Sequence, residues 1–319
     1  MAKRVGSGSH TYELDPTWGR LPDGWEYRDV VGVRVGRDGR VYAFNRGTHP
    51  MVVFDRSGSI VATWGNGIFG NPHGLAMGPD GTLYCVDTGD HTVRAFTPEG
   101  ILKWTIGTPG IASDTGWTGS YDTLGGGPPF NRPTNLAVGA QGDLYVSDGY
   151  GNCRVHRFSA DGVLKLSWGS AGRGAGQFRL PHGACGEPDG SVLIGDRANF
   201  RVQRFTADGQ YQNEWADVQM PDDIFRDEGG TYYVAELGKD GARAGDLGSR
   251  VTVRDRSGRI LASWGDAGDP AEPGNICAAH GICTDNDGNV YVGEVTQAAR
   301  IGAGLVPAGT HIFQKFVRV

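Results

Sequence analysis

The chain has 319 residues, 54 of them glycine, with 21% charged residues and a formal net charge of −6. This composition predicts a folded globular protein and excludes a general nucleic-acid binder, which would carry a basic face. No apolar run is long enough to cross a membrane, so no membrane association is expected.

Residues 1–10 contain a Gly-Ser run and no apolar h-region, which predicts a flexible tail without a secretory signal. From residue 11 to 319 a single domain is expected. After the segment "YELDPTWG" a template recurs six times. It reads short apolar strand, Gly turn, strand ending in an acidic or amide residue, loop, third strand, Gly turn, and a fourth strand often ending in Trp-Gly. The second strands align without gaps, ending at Asn45, Asp87, Asp148, Asp196, Glu236 and Glu294. Four short strands per unit, repeating at roughly forty residues, predict an all-β six-bladed β-propeller of four-stranded blades. One blade cannot cover its own two faces, so neighbours must cover each other. The sixth unit ends at "HIFQKFVRV" without a fourth strand, so the N-terminal segment is expected to supply the outer strand of blade six.

Turns between strands one and two, and three and four, are short. The opposite face carries long loops at 108–133, 237–249 and 295–310, which nominates that face as the working one. The five cysteines form no C-x-x-C pair, which predicts reduced, packed thiols in a cytoplasmic protein. Cys185 and Cys283 each lie three residues after a repeat histidine, at expected core positions.

Counting back seven residues from the one before each turn glycine gives an equivalent position per blade. Its occupants are Val31, His73, Thr134, His182, Asp222 and His280. A single histidine at a strand start is commonly a packed residue, but here histidine alternates, in blades two, four and six. Alternate blades of a six-fold ring are related by about 120°, so the three imidazoles are expected to converge on the axis. Three neutral imidazoles can hold zinc, or another divalent transition metal, and leave a fourth position open. His10, His49, His91, His156 and His311 are off register; His49 and His91 fall in loops of the working face.

The six strand-two ends point toward the same mouth. The ordinary reading is that they pair with third-strand arginines (Arg154, Arg201 and Arg250 are available) or accept backbone N–H groups. Some could orient the histidines. Arg46 follows Asn45 directly, and Tyr150 lies two residues after Asp148. Both are expected at the mouth, the arginine to bind an anionic oxygen and the tyrosine to act as a base.

At these residues the chain resembles peptidyl-α-hydroxyglycine α-amidating lyase, a six-bladed propeller of the NHL-repeat class. The resemblance lies in "NRGTH" (45–49), "NPHGLAMGPDG" (71–81), "PFNRPTNLAV…LYVSDGYGNCRV" (129–155), "GQFRLPHG" (176–183) and "DRANFRVQRF" (196–205). It implies zinc on His73, His182 and His280, with Arg46 and Tyr150 as the catalytic pair. It also implies cleavage of a C-terminal α-hydroxyglycine to a peptide amide and glyoxylate. Gly281 stands where the family has an aspartate, which leaves a structural calcium without one expected ligand. Gly151 stands where animal members have a disulfide cysteine.

The reading is a monomeric metal-dependent lyase for an α-hydroxyamide or related small-molecule substrate. A metal-dependent hydrolase of esters, lactones or phosphotriesters is the first alternative, and a non-catalytic NHL binding scaffold the second.

Overall fold

The computed structural model describes residues 3–238, 248–266 and 268–319. It consists of six antiparallel sheets with almost no helix, a six-bladed β-propeller. The chain divides into two compact units, Met1–Asn66 with Asp222–Val319, and Gly67–Pro221. Among the described residues no helix is long and apolar enough to cross a membrane.

In the Gly67–Pro221 unit, blades two, three and four begin with Pro72–Met77, Pro133–Val138 and Pro181–Gly186. Their second strands, Leu83–Asp87, Leu144–Asp148 and Val192–Asp196, end at the residues expected from the alignment and are buried throughout. Outer strands are covered only at one end: Leu102–Ile106 buries Ile106 alone. The core therefore lies between neighbouring blades. Val86, Val93 and Ile106 of blade two meet Leu136, Val146 and Phe158 of blade three. The Trp168 that ends blade three packs on Phe205 of blade four, ring centroids 5.7 Å apart.

The other unit holds blades one, five and six. Blade six contains Ala279–Thr284, Val290–Glu294, Phe313–Arg318 and, as its fourth strand, His10–Asp15. The N-terminal segment thus closes this blade as expected. Residues 4–7, placed in the tail by the sequence reading, add a fifth strand, with Arg4 paired to Glu13 and Ser7 to His10. Trp18 then packs on Phe54 and Tyr291, at 5.1 and 5.0 Å between ring centroids. All five cysteines are buried and free. Burial pushes the Cys153 and Cys277 thiols up to about 12, so they behave as small core residues.

The glycine after a register histidine has a steric cause. A Cβ on Gly74 would sit 2.7 Å from Asn135 Cα and 2.7 Å from the Thr134 carbonyl oxygen. Only a residue without a side chain lets the innermost strands of blades two and three approach this closely. Gly74→Ala should destabilise the protein by about 1–3 kcal/mol, because the obstacle is backbone and cannot rotate away. Urea unfolding checks this; an unchanged midpoint would refute it.

Candidate active site

His73 begins the innermost strand of blade two and His182 that of blade four; they are 1% and 0% exposed. His73 Nδ1 lies 2.7 Å from the Thr134 carbonyl oxygen. A carbonyl only accepts, so Nδ1 carries the proton and Nε2 presents a lone pair. Tyr150 Oη is 3.0 Å from His73 Nε2 and 3.3 Å from His182 Nε2. The two imidazole centroids are 4.8 Å apart. Arg197 donates from Nη1 to the same phenol oxygen at 3.1 Å, its guanidinium 5.6 Å from the ring centroid. The unit therefore brings His73, His182 and Tyr150 together.

Thr134, which occupies the register in blade three, is part of the same construction. Its carbonyl holds His73, and its Oγ1 donates into the backbone of blade four, 2.9 Å from the Pro181 oxygen.

In the other unit, His280 is buried and its Nδ1 meets the Val31 carbonyl at 2.8 Å. This is the same arrangement as His73 with Thr134, with the proton on Nδ1. Arg46 is held by Asp29: its Nη1 lies 3.4 Å from Asp29 Oδ2, and its N–H donates to the Asp29 carbonyl at 2.9 Å. Asp29 also accepts from the Ala298 N–H at 3.1 Å. Burial, opposed by these hydrogen bonds, raises the Asp29 carboxyl above its ordinary value. His49 stacks on Trp25, centroids 3.5 Å apart.

The ring of strand-two ends follows the ordinary reading in most blades. Asp87 accepts the Gly70 and Asn71 N–H groups at 2.7 and 2.8 Å and pairs with Arg94 at 3.2 Å. Asp196 accepts from the Arg179 N–H and pairs with Arg201, both at 3.0 Å. Glu294 accepts from Cys277 and Ala278 at 2.7 and 2.9 Å. Each carboxylate thus clamps the backbone two or three residues before a register histidine. Glu236 is paired with Arg250 and Arg254, at 2.8 and 2.9 Å. Blade three departs from the arginine pairing: Asp148 is met by the Asn131 N–H and Asn152 Nδ2, both at 2.9 Å, and among the described residues Arg154 does not pair with it. His156 Nε2 also lies 3.6 Å from Asp148 Oδ2.

The long loop 108–133 anchors the tyrosine turn. Thr115 Oγ1 donates to the Gly151 carbonyl at 2.6 Å, and Arg132 Nη2 to the Tyr150 carbonyl at 2.7 Å. Arg132 also lies over Trp117, 5.4 Å from its centroid. A Cβ on Gly151 would stand 2.3 Å from Asn131 Oδ1, so a cysteine does not fit there without rearrangement. Likewise a Cβ on Gly281 would meet Gly32 Cα at 2.9 Å, which excludes the family's aspartate from this packing. The loop 295–310 contains the π-helical turn Gln297–Ile301. Of loop 237–249, residues 239–247 lie outside the described residues.

Arg197, Asp29 and Arg132 were not singled out from the sequence. For Arg197 the signal was present: it follows Asp196 as Arg46 follows Asn45, at the same offset from a strand-two end.

Residues 69–96 and 130–158 match the NHL repeat, so the chain is a six-bladed propeller carrying NHL repeats. Within that class it shows partial homology to the amidating lyases. Peptidyl-alpha-hydroxyglycine alpha-amidating lyase 1 of Drosophila melanogaster is 30% identical over 113 residues, 35% of this chain and 19% of that protein. Human NHL repeat-containing protein 3 is 28% identical over 199 residues, 59% of this chain and 54% of that protein. The matches span well under two thirds of either relative. Among solved structures, a virginiamycin B lyase from Staphylococcus aureus with quinupristin has a TM-score of 0.62 at 15% identity, covering 97% of this chain and 100% of that one. A gluconolactonase from Xanthomonas campestris has a TM-score of 0.60 at 13% identity, covering 99% and 98%. At these identities the two structures share the fold.

Proposed function

We propose that the chain is a metal-dependent lyase acting on an α-hydroxyamide or a related small molecule. His73, His182 and His280 would hold one zinc or other divalent transition metal ion. The observation that carries the reading is the Tyr150 phenol oxygen, set between two histidine Nε2 atoms with Arg197 donating to it. Support also comes from the named lyase among the sequence relatives; the relatives with named activities point to a propeller enzyme of lyase or lactonase kind.

The donor set suits such an ion. Carbonyls at the Nδ1 atoms of His73 and His280 hold a proton there, so in the neutral ring Nε2 is the atom that would ligate, the usual outer support for a metal-binding imidazole. When bound, the ion supplies Lewis-acid polarisation of a substrate oxygen. Tyr150 Oη takes the proton from the substrate hydroxyl, and the O–H electrons form the carbonyl bond. The C–N bond breaks, its electrons pass to nitrogen, and nitrogen takes up the proton that Tyr150, acting as phenolate, removed from the hydroxyl, leaving a free amide and a carbonyl product. With an α-hydroxyglycine that product is glyoxylate. Arg197 holds the Tyr150 oxygen in place, and Arg46, held by Asp29, would bind an anionic substrate oxygen.

The test is a substrate panel. Glyoxylate should be released from α-hydroxyhippurate. Turnover confined to activated esters, lactones or phosphotriesters would replace the lyase with a hydrolase on the same scaffold. Inactivity across the panel would leave a binding scaffold.

A further inference from the structure

In the Gly67–Pro221 unit a cavity of about 320 Å³ is lined by Tyr121, Asp122, Leu124, Arg173 and Arg179. That is the size range of small-molecule sites, about 300–1,000 Å³. Neither the Arg173 nor the Arg179 guanidinium makes an ion pair or a side-chain hydrogen bond among the described residues. Elsewhere in the unit Arg94 is paired with Asp87 and Arg201 with Asp196. Asp122 lines the same cavity, but no ion pair joins it to either arginine. Tyr121 and Leu124 pack against the core cluster that contains Cys153 and Phe178, which gives the cavity an apolar wall. Two guanidiniums without an ion pair at one concave surface, against a single carboxylate, in a chain of net charge −6, are a local feature with one chemical complement, an anion.

Backbone contacts link the Arg179 wall of the cavity to the segments that carry Tyr150 and Arg197. Arg179 precedes Leu180, whose carbonyl accepts the Arg197 N–H at 2.9 Å. Leu180 and Pro181 abut Gly149, the neighbour of Tyr150: a Cβ on Gly149 would meet the Pro181 oxygen at 2.1 Å and Leu180 Cδ2 at 3.2 Å. Tyr121, which lines the cavity, lies within electrostatic reach of Arg197, Tyr150 and Arg132.

We infer that this cavity binds a carboxylate on the part of the substrate remote from the cleaved bond. Arg173 and Arg179 take the carboxylate, Tyr121 and Leu124 cover the apolar portion that carries it, and Asp122 weakens the binding by repulsion. The word substrate rests on the lyase reading; the anion site does not.

Calorimetric titration with hippurate and with 4-carboxyhippurate, the same molecule with one added carboxylate, tests this without turnover. The dianion should bind about tenfold more tightly than hippurate. Arg173→Gln and Arg179→Gln should each narrow that gap, and Asp122→Asn should widen it. The gain of affinity in the last variant cannot come from misfolding. Equal affinities, no binding of 4-carboxyhippurate, or a gap that survives both arginine variants would overturn the inference. Release of glyoxylate from α-hydroxyhippurate is scored separately. Charge-dependent binding without that release would uphold the anion site and remove the lyase.

Discussion

Tyr150→Phe should lower kcat for glyoxylate release from α-hydroxyhippurate by about 10²–10⁴-fold, the range a positioned base contributes. The substitution removes one oxygen and leaves the ring that Arg197 covers at 5.6 Å. The backbone of the turn is held from elsewhere, by Arg132 at the Tyr150 carbonyl and Thr115 at the Gly151 carbonyl. The variant should therefore fold and bind substrate, and the loss should fall on kcat while KM changes little. Steady-state kinetics separates the two. A hydrolase whose base is a water molecule would keep most of its rate, so a near-normal kcat in the phenylalanine variant would remove Tyr150 from the chemistry.

The second large effect concerns the metal. Dialysis against a strong chelator should abolish turnover, and zinc should restore it. Purified protein should contain about one divalent transition metal ion per chain, as expected of a three-histidine site. His73→Ala, His182→Ala and His280→Ala should each strip that ion, read by elemental analysis independently of activity. The variants are informative because the supporting carbonyls of Thr134 and Val31 are backbone atoms and remain in place. Protein that carries no more than a trace of metal, or variants that retain it, would sink the metal reading.

The ends of the second strands, from Asn45 to Glu294, were legible because each is a short apolar run stopped by a polar residue and preceded by a glycine turn. The turn needs a positive φ, as at Gly81 with φ +83°, and that local requirement writes itself into the sequence. The histidine register was legible for the same reason: strand periodicity carries phase from one blade to the next. The strand Arg4–Ser7 was not, since an edge strand without a partner on its outer side needs no apolar alternation. Arg197 was overlooked although its offset matched Arg46, and Asp29 was illegible because its partners, Arg46 and Ala298, lie far along the chain.

The sequence by itself determined the repeat, the blade count, the closing N-terminal strand and the positions His73, His182, His280, Arg46 and Tyr150. These follow from local hydrophobic alternation and turn chemistry, which act over a few residues. Only the tertiary structure decided what surrounds them. The carbonyls of Thr134 and Val31 set the histidine tautomers, Arg197 reaches the Tyr150 oxygen, and loop 108–133 braces the tyrosine turn. It also showed why glycine follows His73 and His280: the neighbouring strand's backbone occupies the space a side chain would need. Such contacts join residues tens to hundreds of positions apart, and no local pattern in the chain encodes which of them meet.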